Sequence, residues 1–244
     1  MSTHWHTYPA VQEAAAASAR HVLLRLEEAL AGQGDATFAV SGGSTPKLLF
    51  QNLAASGFDW RRVHLFWVDE RVVPPADPES NYRLAEEHFI QPAHFPHRNV
   101  HRIHGELRPD VAAEHYIQDI EEFFSLEEGQ LPHFDLIHLG MGGDAHTASL
   151  FPGEPLIADR DRIASSAYVE KLAKWRITLL PGVLLAAKHI MILTAGDDKA
   201  EAVRQVLEDP YDPMKYPAQI VTHHCRHVTW FVDAKAAALA SARA

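Results

Sequence analysis

The chain is 244 residues long, enough for one large α/β domain or two small ones with a sizeable core, and 47% hydrophobic with 22% charged residues is ordinary for a soluble globular protein. A net charge of −10 argues against a nucleic-acid surface, and it requires any anionic ligand to meet a locally positive pocket. The single cysteine, Cys225, excludes an internal disulfide framework, no run approaches the ~20 apolar residues of a membrane span, and the first residues lack the basic start and apolar core of a secretory signal. A cytoplasmic protein is expected, with neither nucleic acid nor membrane as partner.

Residues 9 to 31 carry Val11, Val22, Leu23, Leu26 and Leu30 at helical spacing among alanines, and Gly32 and Gly34 end the run. Thr37 to Val40 reads as a buried strand. Ser41-Gly42-Gly43-Ser44-Thr45-Pro46 follows, then a helix from Pro46 to about Ala55, with the preceding Ser and Thr as caps. Free N–H groups and hydroxyls at such a helix start suit a phosphate group, although a plain tight turn with a capped helix accounts for the same pattern. His64 to Val68 is another strand, running straight into Asp69-Glu70-Arg71, which is either a solvated edge or part of a site. Pro74 to Glu79 is an irregular loop, and Ser80 can cap a helix from Asn81 to about Ile90. Val100 to Ile103 is a short strand. Pro109 opens a helix to about Phe124, with Val111, Tyr116, Ile120 and Phe123 spaced for one buried face, and Leu126 to Pro132 is a linker.

The stretch Phe134 to Gly153 organises the chain. Phe134, Leu136, Ile137 and Leu139 form a buried strand that ends in Gly140, Gly142 and Gly143, with Asp144 and His146 immediately after. Glycine lets the backbone approach a ligand closely, and a carboxylate two residues from a histidine can orient the ring and raise its basicity. Asp144 and His146 are therefore candidate catalytic residues, the alternative being a loop whose polar side chains only satisfy backbone groups. Thr147 is expected to cap a short helical turn that Pro152 and Gly153 stop. Further strands are expected at Ile163 to Val169, Ile177 to Leu180, His189 to Thr194 and Val228 to Val232. Helices are expected from Pro181 to about Ala187, after Gly196 through Leu207, as a turn over Pro217 to Val221, and over the closing alanines Ala234 to Ala242. Lys199, just inside a helix after a glycine turn, either points back at an anion or is simply solvated. The 17 histidines are mostly scattered; the tightest group, His223, His224, Cys225 and His227, matches no zinc spacing and reads as a solvated loop. No metal site is expected.

Strands alternate with helices throughout, without repeats, low-complexity segments or a composition shift. The expectation is a doubly wound α/β sandwich of Rossmann-like kind, one domain over 1–244, with a mainly parallel central sheet flanked by helices. Its three glycine turns would gather in one pocket at the carboxyl edge of the sheet.

Gly143-Asp144, then His146 through Gly153, closely resemble the Gly-Asp-Gly-His-Thr-Ala-Ser-Leu-Phe-Pro-Gly signature of the 6-phosphogluconolactonases, within a wider group that includes the glucosamine-6-phosphate deaminases. Ala145 stands where that signature has glycine; if the position needs φ > 0 it is strained, and otherwise its methyl only narrows the pocket. The Ser-Gly-Gly-Ser-Thr-Pro run is similar to that of the same group, which implies phosphate binding by Gly42, Gly43, Ser44 and Thr45. The Asp-Glu-Arg triplet resembles the lactonases rather than the deaminases and implies substrate contact by Arg71, with Asp69 and Glu70 holding it. Ser80-Asn81-Tyr82 also resembles the family, as pocket lining or as a helix cap. Arg176-Ile177-Thr178-Leu179 matches a family run that usually follows prolines, here replaced by Ala173, Lys174 and Trp175, and makes Arg176 a candidate pocket cation. A lysine at this place in the wider group implies that Lys199 binds phosphate.

The resemblance implies hydrolysis of a small phosphorylated sugar lactone, with His146 as general base oriented by Asp144 and with backbone N–H groups of the glycine loop, at Gly142 and Gly143, stabilising the oxyanion. Such chemistry requires no metal or other cofactor. A deaminase or isomerase would share the phosphate loop and the histidine, but Ser149-Leu150-Phe151-Pro152 lacks the carboxylate of the deaminases' Asn-Glu-Pro segment. A sugar-phosphate sensor would need a DNA-binding segment, and no basic helix pair precedes the domain.

Overall fold

The structure, a computed structural model, describes residues 2–32 and 34–241. The chain begins with β1 (Ser2–Tyr8), α1 (Val11–Gly32), β2 (Ala36–Val40), α2 (Ser44–Ala54), β3 (Val63–Trp67) and the short β4 (Asp69–Arg71). It continues through α3 (Asn81–Ala85), β5 (Val100–His101), α4 (Pro109–Phe124) and β6 (Leu136–Leu139). The last part holds β7 (Ala164–Val169), β8 (Lys174–Leu179), α5 (Pro181–Ala186), β9 (His189–Thr194), α6 (Ala200–Glu208), α7 (Gln219–His224) and β10 (His227–Asp233).

Seven strands pair in parallel in the order β1-β10-β9-β6-β2-β3-β5, the doubly wound architecture that the alternation of elements predicts. β2 and β6 are buried at every residue and β9 at all but its first, because helices cover both faces of the sheet. That is why these strands read as apolar runs rather than as alternation. From β2 the chain runs outward through β3 to β5; it then returns to the other side of β2 as β6 and runs outward again through β9 to β10. The winding reverses between β2 and β6, which opens a crevice at the carboxyl ends of those strands.

β4, β8 and β7 form a separate antiparallel sheet that the alternating pattern does not reveal. Val68 joins the two sheets. Its N–H donates to the Val40 carbonyl at 2.9 Å in the parallel sheet, and its carbonyl accepts from the Leu179 N–H at 2.8 Å in the antiparallel one. The chain thus turns from buried strand to charged Asp69-Glu70-Arg71 within one residue, and it carries those charges over the crevice.

β1 covers a segment for which the sequence predicts no element; it lies at the sheet edge, largely exposed, so its Thr and His residues show no buried run. The alanines after β10 form turns: Asp233 accepts from the Ala236 N–H through Oδ1 at 2.8 Å, and bonds such as Ala238 N–H to Lys235 O span three residues. An alanine segment this short is too brief to sustain an α-helix by propensity alone, and Ala242, the last residue of the expected helix, lies outside the described residues. His223, His224 and Cys225 close α7 rather than forming a solvated loop: His223 Nε2 lies 3.0 Å from the Val206 carbonyl, and Cys225 is buried with its thiol toward the Leu184 carbonyl.

Candidate active site

The turn after β2 leads into α2 with Gly43 at the N-cap, at φ +125°, and no side-chain cap. The helix starts at Ser44, two residues before the expected Pro46, so Ser44 and Thr45 are its first residues and not its caps. Their N–H groups have no intrahelical partner and carry the positive end of the helix dipole. Gly42 lies against Asn81, so closely that a Cβ there would come within 1.8 Å of Asn81 Oδ1. Asn81 is in turn fixed by Nδ2 donating to the Asp69 carbonyl at 2.9 Å.

The turn after β6 holds no helix. Gly142 N–H donates to the His146 carbonyl at 2.9 Å, Ala145 N–H to the Gly142 carbonyl at 3.0 Å, and Thr147 Oγ1 to the Gly140 carbonyl at 2.9 Å. Thr147 therefore clamps the loop instead of capping the predicted helical turn. The amide of Gly142, one of two expected to meet an oxyanion, is already used within the loop. That of Gly143 makes no such bond among the described residues. Ala145 sits at φ +61° and is fully buried, so the family glycine's position does require a left-handed residue and the alanine is strained.

This fold-back brings His146 Nδ1 to 2.5 Å from Asp144 Oδ1. Phe151 stacks on the ring, with centroids 4.2 Å apart at 30°. A carboxylate on Nδ1 selects the tautomer with the proton on that nitrogen, leaving the lone pair on Nε2. Burial pushes the His146 pKa down to about 4; Lys199, Arg176 and Arg71 act in the same direction and the Asp69 carboxylate against them. The imidazole is neutral at neutral pH and free to accept a proton.

Arg71 and Arg176 are direct cross-strand partners in the β4–β8 ladder. Two like charges so placed repel, and burial, followed by Arg71, lowers the pKa of Arg176. Arg71 Nη1 donates to the Glu79 carbonyl at 2.5 Å, while its buried Nε has no partner among the described residues. An anion between the two guanidinium groups would satisfy both. Glu70 holds Arg71 by its backbone, not its side chain: it accepts from the N–H groups of Arg71, Asn81 and Tyr82 and from the Ser80 hydroxyl, and so fixes the start of α3. Ser80 also caps that helix through the Arg83 N–H at 3.2 Å.

These parts face one cleft. One side is lined by Gly42, Gly43, Ser44, Thr45 and Asn81, the other by Gly143, Asp144, Phe151 and Arg176; His146, Arg71, Lys199, Asp69 and Gly142 border both. The candidate catalytic and substrate-binding residues read from the sequence are therefore gathered here, while of Ser80-Asn81-Tyr82 only Asn81 lines the cleft. Lys199 reaches it from the turn after β9, its Nζ 2.7 Å from Asp198 Oδ2. Sequence reasoning missed two contributors, Ser149 and Lys171, and gave Asp69 a different task. Asp69, expected to hold Arg71, is buried and accepts from Ser149 Oγ at 2.6 Å; Ser149 itself is buried beside it, and Lys171 bonds Asp144 from the β7–β8 tip. Ser149 lay inside the recognised run and Asp69 inside the triplet, but Lys171 carried no signal. Among the described residues no group of three or more His, Cys, Asp or Glu side chains is arranged to hold a metal ion, and no helix is long and apolar enough to cross a membrane.

Residues 9–230 match the family described as glucosamine-6-phosphate isomerases/6-phosphogluconolactonase. The chain is 36% identical over 218 residues to a 6-phosphogluconolactonase of Nostoc sp., covering 89% of this chain and 90% of that protein. It is 36% identical over 236 residues to the 6-phosphogluconolactonase of Homo sapiens, covering 93% and 90%. The fold matches the solved structure of 6-phosphogluconolactonase from Trypanosoma brucei with a TM-score of 0.88 at 25% identity, over 97% of this chain and 98% of that one. The chain belongs to the glucosamine-6-phosphate isomerase/6-phosphogluconolactonase family.

Proposed function

We propose that the chain hydrolyses 6-phospho-D-glucono-1,5-lactone to 6-phosphogluconate, a step of the oxidative pentose phosphate pathway. The observation that carries the reading is a neutral, half-buried imidazole, held by a carboxylate, in the same cleft as an uncapped helix start and several cations. The cations, Arg71, Arg176 and Lys199, supply the local positive charge that a net −10 protein needs to accept a sugar phosphate.

In this reading the phosphate rests on the amides and hydroxyls of Ser44 and Thr45, beside Gly42 and Gly43, with Lys199 as counter-charge. Arg71 and Arg176 take further substrate oxygens. Asp144 keeps the proton on Nδ1, and Nε2 removes a proton from water as that water attacks the lactone carbonyl carbon. The Gly143 amide meets the developing oxyanion. The tetrahedral adduct collapses by breaking the bond between that carbon and the ring oxygen, and the imidazolium returns its proton to the departing oxygen. The whole chain, 1–244, acts as one lactonase domain in a cytoplasmic setting, both as part of the same proposal.

The lactonase branch is favoured over the isomerase branch because Ser149-Leu150-Phe151-Pro152 brings no carboxylate after His146, and because Arg71 occupies the third place of its triplet. The test is background-subtracted hydrolysis of phosphorylated and unphosphorylated gluconolactone by the wild type and by His146→Ala. A strong preference for the phosphorylated lactone is expected, with a loss of about 10²–10⁴ in the variant. Near-normal turnover by His146→Ala removes the base, lack of preference removes the phosphate cradle, and ammonia release from glucosamine 6-phosphate moves the chain to the isomerase branch.

A further inference from the structure

The β7–β8 hairpin ends in a turn, Glu170–Leu172, closed by Ala173 at φ +49°. The hairpin packs on α4, and its tip reaches over the cleft. Its lysine, Lys171, places Nζ on Asp144 Oδ2, the oxygen that His146 does not use. The same Nζ lies 4.4 Å from the centre of the Phe151 ring, which also stacks on the imidazole. Asp144, His146, Phe151 and Lys171 thus close a ring of contacts: the carboxylate bridges imidazole and ammonium, and the aromatic ring touches both. Asp144 is itself partly exposed, so without the ammonium its outer oxygen would turn to water.

We propose that Lys171 is a positioning residue for the lactone hydrolysis, anchoring the outer oxygen of Asp144 from the hairpin tip and so setting how strongly His146 holds a proton. The proposal rests on the reading of Asp144 and His146 as the base pair of the reaction. A carboxylate shared between an ammonium and an imidazole stabilises the imidazolium less than a carboxylate that faces the imidazole alone. The ammonium therefore works with burial to keep His146 unprotonated. The other charges facing the ring are Asp69 and Arg71 from β4, Arg176 from β8 and Lys199 from the turn after β9, and none of them bonds Asp144. Lys171 is the group through which the hairpin is tied to the acid–base pair.

The test is the pH dependence of kcat/KM for 6-phosphogluconolactone in the wild type, Lys171→Met, Lys171→Arg and His146→Ala, each checked for native folding by circular dichroism. Removing the ammonium raises the proton affinity of His146. The acid limb of Lys171→Met is expected to move up by roughly 0.5–1 pH unit, moderated by the half-exposed position of the lysine. Its plateau kcat falls about threefold or more as Asp144 loses an anchor, KM stays within about twofold, and Lys171→Arg restores both limb and plateau. An unmoved limb in Lys171→Met, with His146→Ala inactive, overturns the proposal and leaves the base intact. A raised KM with an unmoved limb overturns it as well, since Lys171 would then be a substrate contact. Turnover retained by His146→Ala overturns the proposed base itself, whatever Lys171 does.

Discussion

The turns after β2 and β6 sit side by side at the carboxyl edge of the sheet, both rich in glycine, and they use it to opposite ends. After β2 the chain passes straight into a helix, and what it offers the cleft is backbone: free N–H groups at Ser44 and Thr45 with no side-chain cap. After β6 the chain folds on itself through bonds from Gly142 to His146 and from Ala145 to Gly142, with Ala145 and Ala148 both in left-handed conformations, and what it offers is one imidazole. The difference follows from the tasks. Holding an anion needs only fixed dipoles of the right sign, which any helix start provides. Moving a proton needs one ring nitrogen aimed to within a fraction of an ångström. The second turn is accordingly over-determined, with Asp144, Phe151 and the Thr147 clamp all fixing the same ring.

If that contrast is right, a methyl group added to each turn should fail in a different way. The larger effect belongs to Gly142→Ala. Its Cβ would lie 2.1 Å from His146 Cε1 and Nδ1 and 2.7 Å from Asp144 Oδ1, so the ring must swing away. A displacement near 1 Å costs about 10²-fold in rate, and the loss should appear in kcat with KM little changed in steady-state assays. Gly42→Ala comes next. Its Cβ would lie 1.8 Å from Asn81 Oδ1, and pushing Asn81 aside distorts the cradle but leaves the imidazole alone. The expected result is roughly a tenfold rise in KM for the phosphorylated lactone, little change in kcat, and weaker competitive inhibition by inorganic phosphate. Should both variants lose kcat alike, the two turns act as one unit and the division of labour fails.

The same contrast explains what was legible in the sequence. Ser41–Pro46 and Gly140–His146 could be read because each concentrates its function in consecutive residues, after a strand whose burial makes it an apolar run. Helix bounds were equally plain, α4 spanning Pro109–Phe124 as predicted, but its buried face is Ala112, Ala113, Tyr116 and Ile120, while Val111, expected on that face, is exposed and Phe123 is only partly buried. The antiparallel sheet was not legible, because β4 is three charged residues whose strand character comes only from pairing with β8. The opposition of Arg71 and Arg176 is a matter of register in that pairing, which no local pattern encodes. Lys171 carries no local signal for the same reason: it reads as one more exposed turn lysine until the hairpin is folded over Asp144. The earlier start of α2 reflects a different competition. Ser44 and Thr45 are good caps by propensity, but Gly43 takes the N-cap, which leaves them as the first helical residues, lining the cleft with no side-chain cap.

Ala145→Gly should have the smallest effect, and it decides how the second turn tolerates its departure from the family's glycine. A left-handed alanine costs roughly 1–2 kcal/mol, and glycine would remove that cost. Against this, the fully buried methyl contributes about 0.8 kcal/mol, and glycine loses a further 0.5–1 kcal/mol or so of chain entropy on folding. The terms nearly cancel, so thermal unfolding should shift by no more than about 2 °C, with kcat within about twofold. The backbone is held on both sides, by the Ala145 N–H to Gly142 and by the Ala218 N–H to the Ala145 carbonyl, each at 3.0 Å. Neither bond depends on the side chain, so the ring of His146 keeps its place in the variant. A stabilisation well beyond 1 kcal/mol would mean that the strain of the left-handed alanine outweighs both its packing and the chain entropy, whereas an equal destabilisation would make the methyl a packing element that the family's glycine does without.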